Sequence, residues 1–364
     1  MTPIPHYAAA HASTIVAEEL RLIREVAPRF RDWFKATGRP DYVGTFDLAS
    51  VPYPTRFGTF GAAWSPLPFV TITNRMMIVR WRDQGAQTRT LLFEPTDLDL
   101  ARNAPFYAHL ARQTPKLVEP LVYKEHGTVG THLAALGLRA EDVDYLTFDH
   151  LHVQDVRRHI GTRSPAPDLS PSEPIAACFP NAKLIVQRRE LELVRHMHPL
   201  QAAWYQPGTF ADLREEALAV IDGDVLLGPG VALLYTPGHS AGNQSLCLHT
   251  DTGLWASSEN VIATELMTPE HSRIAGIRPW LLTFGMEVVL NSNTLENTAQ
   301  QYNSVIKEKT IVDRSSVDDR FLQFFPSSEL TPSWHNPAVA PTFMHRRVSH
   351  GKFVGATASA RTAA

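Results

Sequence analysis

The chain is poor in cysteine, with only Cys178 and Cys247 among 364 residues. That excludes a disulfide framework and a cysteine-built metal knuckle. Long apolar runs are missing too. No stretch reaches the roughly 20 residues that cross a bilayer as a helix, so no membrane partner is expected. An excess of charge of either sign is absent: 34 Lys and Arg stand against 37 Asp and Glu, for a formal net charge of -3. With no basic stripe, nucleic acid is not an expected partner. The opening "MTPIPHYAAAHASTIVAEEL" has no charged stretch leading into an apolar one. A cytoplasmic location is therefore the expectation.

What is present is a large apolar fraction, 44 % of the residues, enough for a substantial core. Residues 13–36 carry apolar side chains at helical spacing behind Ser and Thr cap candidates, with Pro28 expected to break or kink the helix. Residues 1–40 read as an added helical arm, 41–345 as the main domain and 346–364 as a small, polar tail. Within the main domain, "PFVTITNRMMIVRWRD" and "TRTLLFEP" read as strands around a hairpin loop. "GTVGTHLAALGL" reads as an amphipathic helix ending at glycine, and "AKLIVQRRELELVRHM" as a strand running into a helix. "TLENTAQQYNSVIKE" reads as a polar helix ahead of a late strand in "FLQFFPSSEL". Strands in groups, with helices between them, imply an α/β fold of mixed sheets covered by helices. "GTRSPAPDLSPSEPI" reads as a long loop.

Three strand ends carry chemistry. In "YLTFDHLHVQD", His150 and His152 alternate on an extended segment and so point to one side. A divalent ion takes such neutral imidazoles and wants a further His or a carboxylate. Asp155 lies one turn on if the chain bends into a helix at Val153. The simpler alternative is two half-buried polar residues flanking a core Leu151. In "LLYTPGHSAGNQSL", His239 stands on a turn that Gly238 and Gly242 allow to bend sharply. In "GLWASSENVIA", Glu259 follows an apolar strand. His-x-His, His and Glu at three strand ends point to one convergent site.

In this order, "HLHVQD", "TPGHSAG" and "SSEN" resemble the metallo-β-lactamase superfamily, and the surrounding passages are similar to its lactonase-like branch. The resemblance covers roughly residues 43–335. It implies an αββα sandwich of two mixed β-sheets with helices on the outer faces, and a site at one edge. It also implies that His150, His152 and His239 hold one metal. The family's next pair, Asp-His, is here Gln154 and Asp155. The bridging Asp is matched by Glu259, and the late His by Ser328. His335 and His271 are alternatives for that late His, though each reads more simply as a surface or loop histidine. His159 reads as solvated, and His345 and His350 as part of a basic tail.

These readings lead to a metal-dependent hydrolase. It would turn a metal-activated water on an ester, a lactone or an activated aryl ether. Asp155 or Glu259 would hold that water or complete the coordination, and Gln154 would donate a hydrogen bond to a developing anion. Zinc is the first expectation, with iron or manganese as alternatives, and one ion is favoured over two. The partner is a small molecule, apolar or aromatic in character, and a homo- or hetero-oligomer is expected. Two other classes stay open: an iron-dependent oxygenase on the same fold, and a metal-poor supporting subunit of a hetero-oligomeric hydrolase.

Overall fold

The computed structural model describes residues 1–292 and 297–353. Two sheets organise it. The larger is mixed. Leu218–Ile221, Lys183–Gln187, Tyr145–Thr147 and Thr88–Phe93 run parallel, followed antiparallel by Phe69–Arg82, Tyr42–Pro54 and Ser349–Gly351. Ser328–Thr331 also pairs with Phe69–Arg82, and Lys124–Glu125 with Tyr42–Pro54. The smaller sheet is antiparallel, in the order Thr2–Pro3, Val225–Gly228, Val231–Tyr235, Gln244–Thr250 and Gly253–Ser257.

Strand residues point alternately to the two faces of a sheet, and here both faces are buried. Met77, Val79, Leu91, Phe93 and Ile185 from the larger sheet share one core with Val231, Leu233, Leu246 and Leu248 from the smaller. Their neighbours Ile78, Leu92, Leu146, Leu184, Ala232, Leu234 and Cys247 belong to a second core that also holds helix residues. A strand apolar on both faces needs cover on both, so the sheets face each other with helices outside. This is the αββα sandwich expected from the sequence.

Helix Val16–Ala36 packs beside helix Thr298–Ile311 over the smaller sheet. It continues through Pro28. The proline removes one backbone donor, while Ile23, Val26, Ala27, Phe30 and Phe34 stay buried along a single face and hold the helix against the core. The first forty residues are also stitched in ahead of the helix, where Thr2–Pro3 pairs with Val225 and Leu226. At the other end the larger sheet extends past residue 345, through Ser349–Gly351. The beginning of the expected polar helix at 294–296 and the tail from residue 354 lie outside the described residues. The stretch read as a long loop contains a small hairpin, Pro165–Ala166 with Ser170–Pro174. Among the described residues no helix is long and apolar enough to cross a membrane.

Candidate metal centre

Three loops meet at one edge of the sandwich. His150 and His152 follow strand Tyr145–Thr147, and His239 lies in the turn between Val231–Tyr235 and Gln244–Thr250. Glu259 comes just after Gly253–Ser257. The turn carrying His239 needs its glycines. Gly238 sits at φ +131°, and a Cβ there would meet the Gln301 backbone nitrogen at 2.2 Å. A Cβ on Gly242 would meet the Glu190 nitrogen at 2.3 Å. Neither backbone neighbour has room to retreat. Next to His152, Val153 adopts φ +58°, a conformation that a β-branched residue resists. Its amide donates to Trp204 O at 2.7 Å, and its carbonyl accepts from Gln206 Nε2 at 2.9 Å. These two bonds hold the strained loop in place.

The imidazoles of His150, His152 and His239 are all buried, and each offers a ligand atom within 4.8 Å of the others. Ring centroids are 4.3 Å apart for His150 and His152, 4.5 Å for His150 and His239, and 5.1 Å for His152 and His239. Each ring is oriented through one nitrogen. His150 Nδ1 meets Asp149 Oδ1 at 2.5 Å, His152 Nε2 meets Gln201 Oε1 at 3.0 Å, and His239 Nδ1 meets Asn291 O at 2.8 Å. Ser327 Oγ donates to the other oxygen of Asp149 at 2.7 Å. Outer partners of this kind fix the tautomer of a metal-binding histidine. His150 Nε2 has no hydrogen bond within the described chain and lies 3.9 Å from Glu259 Oε2.

Electrostatics follow from burial. Burial alone would lower His150, but the Asp149 carboxylate outweighs it and lifts the imidazole to about 9. Burial, and then the charge of His150, drive His239 down to about 3. His152 falls well below the usual histidine value for the same reasons. Burial lifts Glu259 to about 7, with His150 opposing. Glu94, buried and beside Asp149, is pushed well above the usual carboxylate range. The cluster thus cannot charge all three rings together, and neutral imidazoles are the form that binds a cation. A divalent ion fits this donor set: three converging rings, an orphaned buried nitrogen and an adjacent carboxylate.

Glu190 ties the loops together, although no local pattern marks it. This buried carboxylate accepts from Leu151 N at 2.9 Å and Tyr205 Oη at 2.6 Å. Its second oxygen accepts from Ser240 Oγ at 2.7 Å and Gly242 N at 3.1 Å. One carboxylate therefore joins the His150–His152 loop to the His239 turn.

The structure departs from the expected roles of two residues. It does not bring Asp155 to the cluster. Asp155 is buried against Arg157, accepting from Nε at 3.0 Å, from Nη2 at 2.7 Å and from the Arg157 amide at 3.1 Å. A carboxylate two residues ahead of an arginine finds its counter-charge locally, which is why it turns away from the imidazoles. Gln154 does reach the site, but its amide nitrogen is used on Thr96 Oγ1 at 3.0 Å. Its Oε1, buried and without a hydrogen bond, is the unused atom, so the expected donor is held as an acceptor.

Ser328 lies beside Glu259, where a late histidine was sought. Neither His271 nor His335 lines the cavity. His159, expected to be solvated, is buried and bonded to Pro95 O at 2.6 Å. His345 bonds to Leu322 O and His350 to Asp251, both away from the cluster.

A cavity of about 170 Å³ opens onto this edge. His150, His152, Gln154, Glu94, Glu259 and Ser328 form its polar end. Val51, Ile72, Leu98, Leu110 and Val122 are among the apolar side chains of its walls.

A solved structure of a probable metal-dependent hydrolase from Staphylococcus aureus superposes with a TM-score of 0.51 at 13 % identity, covering 73 % of this chain and 83 % of that one. The fold is that of the metallo-β-lactamases. Over 127 residues this metallo-β-lactamase-fold chain is 31 % identical to an N-acyl homoserine lactonase of Bacillus cereus, covering 35 % of this chain and 41 % of that relative. An N-acyl homoserine lactonase of Bacillus thuringiensis is 32 % identical over 119 residues, 33 % of this chain and 38 % of the relative. The match thus spans about two fifths of the curated relatives' length. These sequence relatives are of the lactonase-like branch that the motifs resemble. No family model matches the chain.

Proposed function

We propose that this protein is a metal-dependent hydrolase that opens a small lactone or ester with an apolar substituent. The observation that carries the reading is the convergence of His150, His152 and His239, each with one ring nitrogen held by a hydrogen bond to the surrounding fold. Those three side chains and Glu259 are the proposed ligands. When bound, a divalent ion supplies Lewis acidity and a water acidified to a near-neutral pKa. Imidazole donors with one carboxylate suit zinc first.

One ion is favoured over two. Gln154 is a weak ligand, Asp155 is committed to Arg157, and Ser328 stands where a late histidine would be needed. Asp149 orients His150, and Glu190 keeps the loops in register. The apolar walls of the cavity hold the substituent, keep bulk water away and leave the acyl carbon at the polar end. Arm, catalytic domain and tail, at 1–40, 41–345 and 346–364, are the proposed division of the chain.

The test is metal content on protein purified without added metal. It is paired with turnover of N-hexanoyl homoserine lactone and p-nitrophenyl acetate by parent and His239→Ala. The expected outcome is about one zinc per chain and turnover that disappears with the metal. Iron together with oxygen consumption would move the reading to an oxygenase. A zinc-loaded chain inert towards both probes would favour the supporting-subunit reading instead.

A further inference from the structure

The cavity wall facing the imidazoles is built by one helical excursion between strands Thr88–Phe93 and Lys124–Glu125. No residue of its main helix, Pro105–Gln113, is fully buried, and the helix meets the core through Phe106. Four side chains of that stretch line the cavity: Tyr107, Leu110, Ala111 and Thr114. Their spacing is i, i+3, i+4 and i+7, one continuous helical stripe. An amphipathic face that serves no core but walls a cavity is matched to what the cavity holds.

The start of this helix is pinned beside the imidazoles. Phe106 N donates to Ala203 O at 2.8 Å, and the Phe106 ring packs on Trp204 at 4.6 Å. Trp204 in turn lies 6.0 Å from His152. Tyr107, the next residue, therefore stands at the end of the stripe nearest the metal centre, with Thr114 at the far end.

Three other hydroxyls around the cavity already have hydrogen-bond partners. Tyr53 donates to Asn291 Oδ1 at 2.8 Å, Thr114 to Leu110 O at 2.9 Å, and Thr96 accepts from Gln154. Tyr123, whose buried hydroxyl has no hydrogen-bond partner among the described residues, is placed by its ring under the Arg102 guanidinium at 4.2 Å rather than beside Trp204 and His152, and Ser328 is turned to Glu259. Tyr107 is absent from every hydrogen bond of the described residues, and its ring contact is with Phe106.

We infer that Tyr107 is a catalytic residue whose phenol donates a hydrogen bond to the acyl carbonyl oxygen of the substrate. The inference rests on the hydrolase reading and adds to it the group that holds the reacting oxygen. In the reaction the water oxygen bonds to the carbonyl carbon and the acyl C–O bond breaks. The departing oxygen leaves with a proton from that water. Tyr107 keeps its own proton throughout and stabilises the negative charge that gathers on the carbonyl oxygen. Burial first, and the Glu259 carboxylate second, raise the phenol above its usual range, so it is a donor at neutral pH.

The test is Tyr107→Phe in the metal-loaded protein, which keeps the ring and removes only the hydroxyl. With N-hexanoyl homoserine lactone, kcat should fall about 10²-fold, the scale of losing one such donor. KM should stay within threefold, and metal content should be unchanged. Affinity for the ring-opened product, N-hexanoyl homoserine, should weaken about fivefold by calorimetry, the scale of one neutral hydrogen bond. A kcat within threefold of the parent, or a variant that loses its metal, overturns the inference. If the parent turns over neither lactone nor ester, the hydrolase reading fails. Product binding then decides separately: affinity unchanged by Tyr107→Phe overturns the role of Tyr107, and weakened affinity supports it.

Discussion

Replacing Asp155 by asparagine separates a structural carboxylate from a catalytic one. In the motif it stands where the superfamily has a metal-binding histidine, and a general acid–base role there would make its loss cost about 10²- to 10⁴-fold in rate. The structure leads to a different expectation. Asp155 is buried and meets Arg157 through both oxygens, while Arg157 also reaches Asp168, whose side chain is 57 % exposed. Removing one partner of a buried pair costs about 3–5 kcal/mol when nothing replaces it. Here the solvent-screened Asp168 remains, and the amide oxygen of the substituted side chain still accepts one bond, so the expected loss is about 2–3 kcal/mol. In urea, with m of about 2–3 kcal/mol/M, the unfolding midpoint should drop by about 1 M. Turnover per folded, metal-loaded chain should stay within threefold. A rate loss of two orders of magnitude with an unchanged midpoint would refute this assignment and return Asp155 to the chemistry.

Three further expectations follow from the same geometry. His239→Ala removes one of three converging imidazoles, so metal content after dialysis should fall from about one ion per chain to near zero; full retention would dissolve the proposed site. Glu190→Gln puts an amide NH₂ against the Gly242 N–H and leaves that buried donor unpaired, costing about 1–3 kcal/mol in urea unfolding. Zinc affinity measured by chelator competition should weaken with it, and a variant unchanged on both measures would show that Glu190 does not join the loops. Lastly, burial would raise the Asp224 carboxyl, but the Lys307 ammonium at 2.9 Å holds it down at about 2, below its unfolded value of about 3.9. Its stabilisation is therefore present above about pH 4 and lost as pH falls towards about 2, so the stability gap between parent and Asp224→Asn should narrow over that window; a gap constant from about pH 7 to about 2.5 would refute it.

What the sequence made legible is what local pattern encodes. Strand ends are marked by β-formers giving way to Gly, Pro and polar residues, so His150, His152, His239 and Glu259 were all readable as strand-end side chains. Alternation on one extended segment put His150 and His152 on the same side, and the structure brings them to a 4.3 Å ring separation. Pro28 misled because a helix break was judged from the backbone alone, whereas five buried apolar side chains hold that helix to the core. Asp155 misled for a related reason. Its place in the motif suggested metal, but Arg157, two residues on, was the competing signal in plain view.

The supporting residues are another matter, because nothing local distinguishes them. Glu190 sits in "RRELEL", a stretch that reads as an ordinary charged helix. Its four donors come from residues 151, 205, 240 and 242, which only the fold collects. Tyr107 carried a signal that was present but ambiguous: a stripe of Tyr, Leu, Ala and Thr at helical spacing describes a core face as well as a cavity wall. Burial decides between them, and no residue of Pro105–Gln113 is fully buried. The ligands of this centre are thus set by short-range pattern, while their orientation is set by long-range contacts. Asn291 holds the His239 ring from 52 positions away and Gln201 the His152 ring from 49. A ligand set read from sequence therefore says which atoms are available to a metal, and the second set of contacts decides where those atoms point.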